Sequence, residues 1–449
     1  MKNKHYKRLC ILLTILISTG TLHAQDNVWT LEKCINQALE NNIDIRKSKV
    51  STKEFKVDLD QAKSNRKPNL SSSASTTFNW DKEQMAESNS YGNRDVNNYT
   101  SFGLSSSTSL YNGSKLKNKV KKAAIDFKQQ QYSTSTQKET ITLSVLEAYL
   151  EVLYAKESIK NDSAQIKSTE EELSLAKERL NSGIISLSDY LGIKSELSSE
   201  KSTLAEDQGT LSSNLVTLMQ LIEIPLNDNF QIETPNLDEL LLSSYKTGIS
   251  TKDAYKQALK IKPQIKEAEM EIKSAELYEK IEKADLYPSL SLKAGLSSGW
   301  NDKISSYSYS EQLKNEFSPS VGLSVSIPIF SNYAGRNNVK LAKLYTEESK
   351  LEAQNTKNTL RKNIELAYVD LKTATAKYNA SLEAYNSAKE SGDVATEKYN
   401  EGMINSVDLI SIKTDLIEAE NNLLKQKFNI VFSNKILDFY KGEPINSFK

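Results

Sequence analysis

The chain has 449 residues, with 58 Lys+Arg against 58 Asp+Glu, two histidines, two cysteines and 38% hydrophobic residues. An even charge balance argues against a nucleic-acid surface, and a modest apolar content with only 15 glycines suits long helices that bury a narrow stripe. Both histidines and Cys10 fall in the first 24 residues, so the remainder has no Ser-His-Asp or Cys-His arrangement and no cluster of His and Cys ligands.

Residues 1–24 read as a secretory signal. Lys2, Lys4, Lys7 and Arg8 form a basic start, Leu9–Ile17 is apolar, and "TLHAQ" offers cleavage after Ala24. Without the signal the balance is 54 Lys+Arg against 58 Asp+Glu, a net of −4. No cysteine follows the cleavage site, so no lipid anchor is expected there. Cys34, on the apolar face of "LEKCINQAL", is expected to be a buried thiol, and alone it cannot form an internal disulfide. Beyond the signal there is no run of 18 apolar residues, so no transmembrane helix is expected. If such a chain crosses a membrane, it does so as a β-barrel. No carboxylate pair stands out from a solvated helix face and no Gly-rich phosphate loop is present, so no enzyme, cofactor or metal site is expected.

The sequence repeats. "QAL" at Gln37–Leu39 returns at Gln257–Leu259, "KPNLS" at Lys67–Ser71 as "YPSLS" at Tyr287–Ser291, and Trp80 as Trp300, each 220 residues on. From Gly103 and Gly322 the offset is 219, and "ERLNSGIISLSDYL" (Glu178–Leu191) returns as "EKYNEGMINSVDLI" (Glu397–Ile410). The chain therefore divides into repeats over 25–240 and 241–440, with a tail at 441–449.

Each repeat opens with a short helix and a second one, about Ile43–Arg66 and Pro263–Leu286, where Pro263 fits the first turn. A β-hairpin follows, about 69–111 and 288–330. In "SVGLSVSIPIF", Val321, Leu323, Val325, Ile327 and Ile329 point one way, and Ser320, Gly322, Ser324 and Ser326 the other. Leu290, Leu292, Ala294, Leu296 and Trp300 form a similar apolar face. Aromatics gather at the strand ends: Phe78, Trp80, Tyr99, Phe102 and Trp300 at one, Tyr111, Tyr287 and Phe330 at the other. They resemble interfacial girdles. The polar stretches Asp81–Asn98 and Asn301–Pro319 suit exposed loops. Four strands are too few to close a membrane barrel, which needs about 8, so a barrel has to be shared among subunits.

Long helical hairpins complete the repeats, over 114–222 and 336–440. Ser114–Asn181 has no proline or glycine, and at 1.5 Å per residue spans roughly 100 Å. Arg336–Asn400 is its counterpart, with Gly392 as a weak point. Ile159, Ile166, Leu173 and Leu180 are seven apart, as are Tyr190, Leu197, Leu204, Leu211 and Leu218, which predicts coiled-coil packing. A second seam is small or polar: Asp162, Thr169 and Ala176.

The twice-used motif predicts the turn of each hairpin. Gly183 and Gly402 sit where a glycine ends a helix. Ser186 and Asn405 are N-caps, with Asp189 and Asp408 as the acids of capping boxes facing the positive helix end. Ile185 and Ile404 lie inside the turns.

Taken together, "WTLEKCINQALENN", "KPNLSSS", "YPSLSLKAG", "SIPIF" and the two tip motifs, in this order and at constant offset, resemble the TolC family of outer-membrane efflux proteins. The resemblance implies a mixed α and β fold in which a long coiled-coil helical barrel continues a trimer-shared, 12-stranded transmembrane barrel. It implies a homotrimer in outer-membrane lipid with a long periplasmic extension. It also implies a passive exit duct for efflux or type I secretion, docked to a periplasmic adaptor and an inner-membrane pump of RND or ABC type. By the same resemblance Asp408, Tyr399 and Asp189 match gate residues, and Gly183, Gly402, Ser186 and Asn405 lie at the tips that meet the adaptor. Two gate positions depart from the family: Ile404 stands for an arginine and Ser411 for a second acid. The competing reading is a periplasmic coiled-coil scaffold without a pore, for which the aromatic-flanked strands have no use.

Overall fold

The computed structural model describes residues 28–443 apart from 85–90, 228, 237, 239–240 and 242–249, together with Ile445. The expected signal and most of the tail lie outside the described residues. Two compact units are present. One is built from the described parts of Met1–Ile43, Lys138–Tyr255 and Ile364–Lys449, the other from Asp44–Gln137 and Lys256–Asn363. Each draws on both sequence repeats.

In chain order the elements are β1 (Val28–Trp29), α1 (Leu31–Asn41), α2 (Ile43–Ser64), β2 (Ser71–Gln84), β3 (Tyr91–Asn112), α3 (Lys115–Asn181) and α4 (Leu187–Leu221). There follow β4 (Gln231–Ile232), α5 (Thr251–Ile261), α6 (Pro263–Ala284), β5 (Ser289–Asn301), α7 (Tyr309–Asn315), β6 (Ser318–Ser326), α8 (Ala334–Asn400) and α9 (Ser406–Lys441). Pro263 opens α6, where its missing N–H costs no helical hydrogen bond. Among the described residues, no helix is long and apolar enough to cross a membrane.

In the first unit, β1 and β4 pair in parallel, and Tyr149 of α3 donates its hydroxyl to the carbonyl oxygens of Trp29 (3.2 Å) and Glu233 (2.9 Å). Cys34 is fully buried beside them, and burial pushes its thiol up to about 12, so it is an inert packing group. The helix packing differs in emphasis from the sequence reading. The small seam is buried: Ala148, Ala155, Thr169 and Ala176 of α3, and Ala367, Ala374, Ser381 and Ala395 of α8; of the larger seam, Ile166, Leu197 and Leu218 are buried as well. The two small series sit at the 219-residue repeat offset, Thr169 corresponding in sequence to the half-buried Ala388 and Ser381 to the half-buried Asp162. Leu173, Leu180, Tyr378 and Tyr385 are only half-buried. Small side chains let helix backbones approach, so larger side chains are left to flank the contact. Gly392 belongs to the same logic. The helix runs through it unbroken, and a Cβ there would lie 3.1 Å from Leu416 of α9. It marks a close approach rather than a weak point.

The second unit contains a four-stranded sheet of order β2-β3-β5-β6, antiparallel throughout. The strands differ in extent from expectation. β2 runs to Gln84 and β3 starts at Tyr91, within the stretch read as a loop, and α7 forms inside the second one. α7 is held by a capping box between Ser308 and Glu311. Its buried Gln312 accepts the Asn301 N–H (2.9 Å) and donates to the Ile304 carbonyl (2.8 Å). β6 ends at Ser326, two residues before Pro328, which cannot donate to a ladder.

Register sorts the side chains of the sheet. Ser73, Gly103, Ser297 and Ser318 stand across the strands on one face, as do Ser75, Ser101 and Gly299. Ala74, Phe102 and Ser298 share the other face, with Leu104, Leu296 and Pro319 beside them and Leu292 opposite Leu323. One face is thus Ser and Gly; the other carries the apolar residues. Tyr99 departs from the girdle reading. It sits on the Ser/Gly face, diagonal to Gly299, where an added Cβ would come within 2.8 Å of the tyrosine hydroxyl. Its ring covers a glycine, the arrangement by which an aromatic protects a Gly in a strand. Phe78, Trp80, Phe102 and Trp300 keep to the apolar face.

Candidate functional site

Two helix-turn-helix tips meet in the first unit. The α3 end closes with the Gly183 N–H donating to the Leu180 carbonyl (3.0 Å) and the Ile184 N–H to that of Arg179 (2.9 Å). The α8 end repeats this, Gly402 to Tyr399 (3.1 Å) and Met403 to Lys398 (2.8 Å). These are Schellman closures, and they require a left-handed residue; Gly183 has φ +72° and Gly402 φ +74°. Nothing lies within 4 Å of a Cβ at either position, so backbone conformation alone selects glycine.

Ser186 and Asn405 cap the next helices, each accepting the N–H three residues on, from Asp189 (3.1 Å) and Asp408 (2.9 Å). From here the tips diverge. Asp189 completes its box, one oxygen (Oδ2) accepting the Ser186 N–H (3.2 Å) and hydroxyl (2.6 Å). Its other oxygen (Oδ1) accepts the Ser406 hydroxyl (2.7 Å) and N–H (3.3 Å) at the start of α9. The Ser186 hydroxyl first, and then that of Ser406, hold the Asp189 carboxyl down to about 2. Asp408 is exposed, and its backbone N–H rather than its carboxylate serves the cap.

Beneath the turns Ala176, Ile193, Ala395, Tyr399 and Leu409 form a buried cluster, with Ile185 and Ile404 packed on it. Arg179 donates to the Asn400 side chain (3.1 Å) and sets its guanidinium 5.6 Å from the Tyr399 ring centre. The Tyr399 hydroxyl is buried without a hydrogen-bond partner among the described residues. Burial raises its pKa, against the opposing charge of Arg179. A Lys413–Glu172 ion pair ties α9 to α3 farther along.

The structure therefore brings Asp189, Ser186 and Tyr399 into one assembly and leaves Asp408 apart from it. Arg179, Asn400 and Ser406 are additional members. Their signal is a difference between the repeats: Ser406 stands where the first copy has Leu187, and Arg179 where the second has Lys398. Ile184, Leu187, Met403 and Val407 are exposed at the turns. Among the described residues, no group of three or more His, Cys, Asp or Glu side chains is placed to hold a metal ion. The assembly joins two hairpins through the Asp189 carboxylate and the Arg179 guanidinium.

A sequence model of the family described as outer membrane efflux protein matches residues 34–222 and 254–438, one segment in each repeat. The chain is 24% identical to the outer membrane protein TolC of Escherichia coli (strain K12), covering 94% of this chain and 84% of that one. Among solved structures, CusC superposes with a TM-score of 0.80 at 19% identity, covering 92% of each chain. The CmeC outer membrane channel of Campylobacter jejuni gives 0.77 at 20% identity, covering 93% of this chain and 86% of that one.

Proposed function

The chain belongs to the outer membrane efflux protein family, and from that premise we propose that three copies form a passive exit duct, each giving four strands to a 12-stranded outer-membrane barrel. The family is one of transport proteins, not of enzymes. The helices extend the duct into the periplasm, where an adaptor and an inner-membrane pump deliver the cargo.

The observation that carries this reading is the sheet. Its faces are divided between Ser/Gly and apolar residues, as a wall between water and lipid requires. Within one chain β2 and β6 each pair on one side only among the described residues, and β6 is exposed along its whole length. Unpaired backbone edges are not tolerated in hydrocarbon, and pairing β2 of one copy with β6 of the next removes them.

In this reading the tip assembly is the periplasmic gate. Asp189, Ser406, Arg179 and Tyr399 hold the two hairpins of one subunit together, and Asp408 from three copies forms an acidic ring. The turns at Gly183–Ser186 and Gly402–Asn405, with exposed Ile184 and Met403, meet the adaptor.

Native mass measurement of the protein extracted from outer membranes tests the assembly. A species of three chains is expected. A monomer recovered in the soluble periplasmic fraction contradicts the reading.

A further inference from the structure

Across the strand stretches 71–80, 96–112, 289–301 and 318–326 there is one Asp, Glu, Lys or Arg, and it is Lys293. It lies opposite Ser107 of β3 on one side and Gly322 of β6 on the other, and so on the Ser/Gly face. Ser291, Gly295 and Ser324 surround it on that face, its side is exposed, and nothing lies within 4 Å of a Cβ at Gly322. No carboxylate in these stretches is available to neutralise it.

Two ordinary explanations do not fit this position. Lysine is common on edge strands, where it blocks unwanted pairing, but β5 is paired on both sides. A lipid-facing lysine is strongly disfavoured near the bilayer midplane, and the register puts Lys293 on the face away from the apolar residues.

We infer that Lys293 is a charge-selecting residue of the pore wall, three copies forming a cationic ring that binds anionic, phosphate- or carboxylate-bearing solutes in transit. The inference rests on the pore reading above. A ring of like charge in a low-dielectric wall focuses the field and raises the local concentration of the opposite ion, and rings of lysine or arginine are how anion pores select. Here the surrounding hydroxyls and missing side chains leave the charge unscreened by neighbours and the passage open. The exposed Asp408 carboxylates lie in the other unit, so the duct would carry opposite charge preferences in different segments.

The test is the reversal potential of the full-length protein in a planar bilayer under a KCl gradient, with sodium tripolyphosphate as a blocking anion. Lys293→Gln should shift selectivity toward cations, Lys293→Glu should shift it further, and Lys293→Arg should behave as wild type. Block by tripolyphosphate should weaken at least tenfold in the Gln variant. Conducting channels whose selectivity and block are the same in all four proteins overturn the inference and leave the pore reading intact. A wild-type protein that inserts but never conducts removes both.

Discussion

Asp189 accepts the Ser406 hydroxyl at 2.7 Å, so a carboxylate that caps one helix also fastens the start of another, 217 residues later in the chain. The same group does two jobs through two oxygens, and substitutions can separate them. Ser406→Ala removes only the hydroxyl's part of the fastening, a loss of about 1 kcal/mol, the net worth of a typical hydrogen bond. Asp189→Ala also removes the cap and should cost about 2 kcal/mol. Hydrogen exchange at the Leu187–Gly192 and Val407–Ile410 amides separates them. Ser406→Ala should speed exchange mainly at the α9 start, and Asp189→Ala at both. Equal exchange in Ser406→Ala and wild type would show that the link carries no energy.

A second carboxylate sits less comfortably. Burial, and then the neighbouring Asp207 and Glu200, push Asp162 up to about 6, well above its ordinary value of 3.8. Asp207 in turn accepts the Ser158 hydroxyl at 2.5 Å. The folded chain therefore holds a proton that the unfolded chain releases between about pH 4 and pH 6, so stability falls as pH rises through that window and stays lowered above it. Asp162→Asn should flatten this dependence and stabilise the protein at pH 7.5 by about 1 kcal/mol, allowing for partial solvent screening. Thermal melts at pH 4.5 and 7.5 check it. A variant with the wild-type pH dependence would rule out Asp162 as its source.

The glycines sort into three physical classes. Gly183→Ala and Gly402→Ala force a left-handed alanine and should each cost about 1–2 kcal/mol without any clash. Gly299→Ala drives a methyl against the tip of the Tyr99 side chain, which has to shift, and should cost more than Gly322→Ala. Gly322→Ala, with open space around it and no positive φ, should be close to neutral. Denaturation midpoints of the four variants give the order, and a Gly322→Ala variant as damaged as Gly299→Ala would contradict it.

Much of this was readable beforehand because local physics dictated it. Gly183 and Gly402 announced left-handed helix ends, and Ser186 with Asp189 announced a capping box. The alternation from Val321 to Val325 announced a strand with one apolar face. What was hidden depended on long-range contact. Nothing near Ser406 says that its hydroxyl meets Asp189, and nothing near Tyr99 says that its ring lies over Gly299. Periodicity marks both helical seams but does not say where each is deepest: Leu173 and Leu180 are half-buried beside the buried Ala176, whereas Leu197 and Leu218 of α4 are buried. α7 is invisible to periodicity because its 7 residues are too few to show a helical period. The apparent symmetry of the tips also concealed a difference: Asp189 bridges two hairpins, whereas Asp408 faces solvent.

The central claim is that this chain forms a water-filled passage through the outer membrane. The most direct measurement is single-channel current from the protein purified out of outer membranes and added to a planar lipid bilayer. Discrete conductance steps from a three-chain species are expected, larger and longer-lived in Ser406→Ala, where the hydroxyl's part of the tip fastening is lost. Insertion without ion flow in both wild type and Ser406→Ala would contradict it.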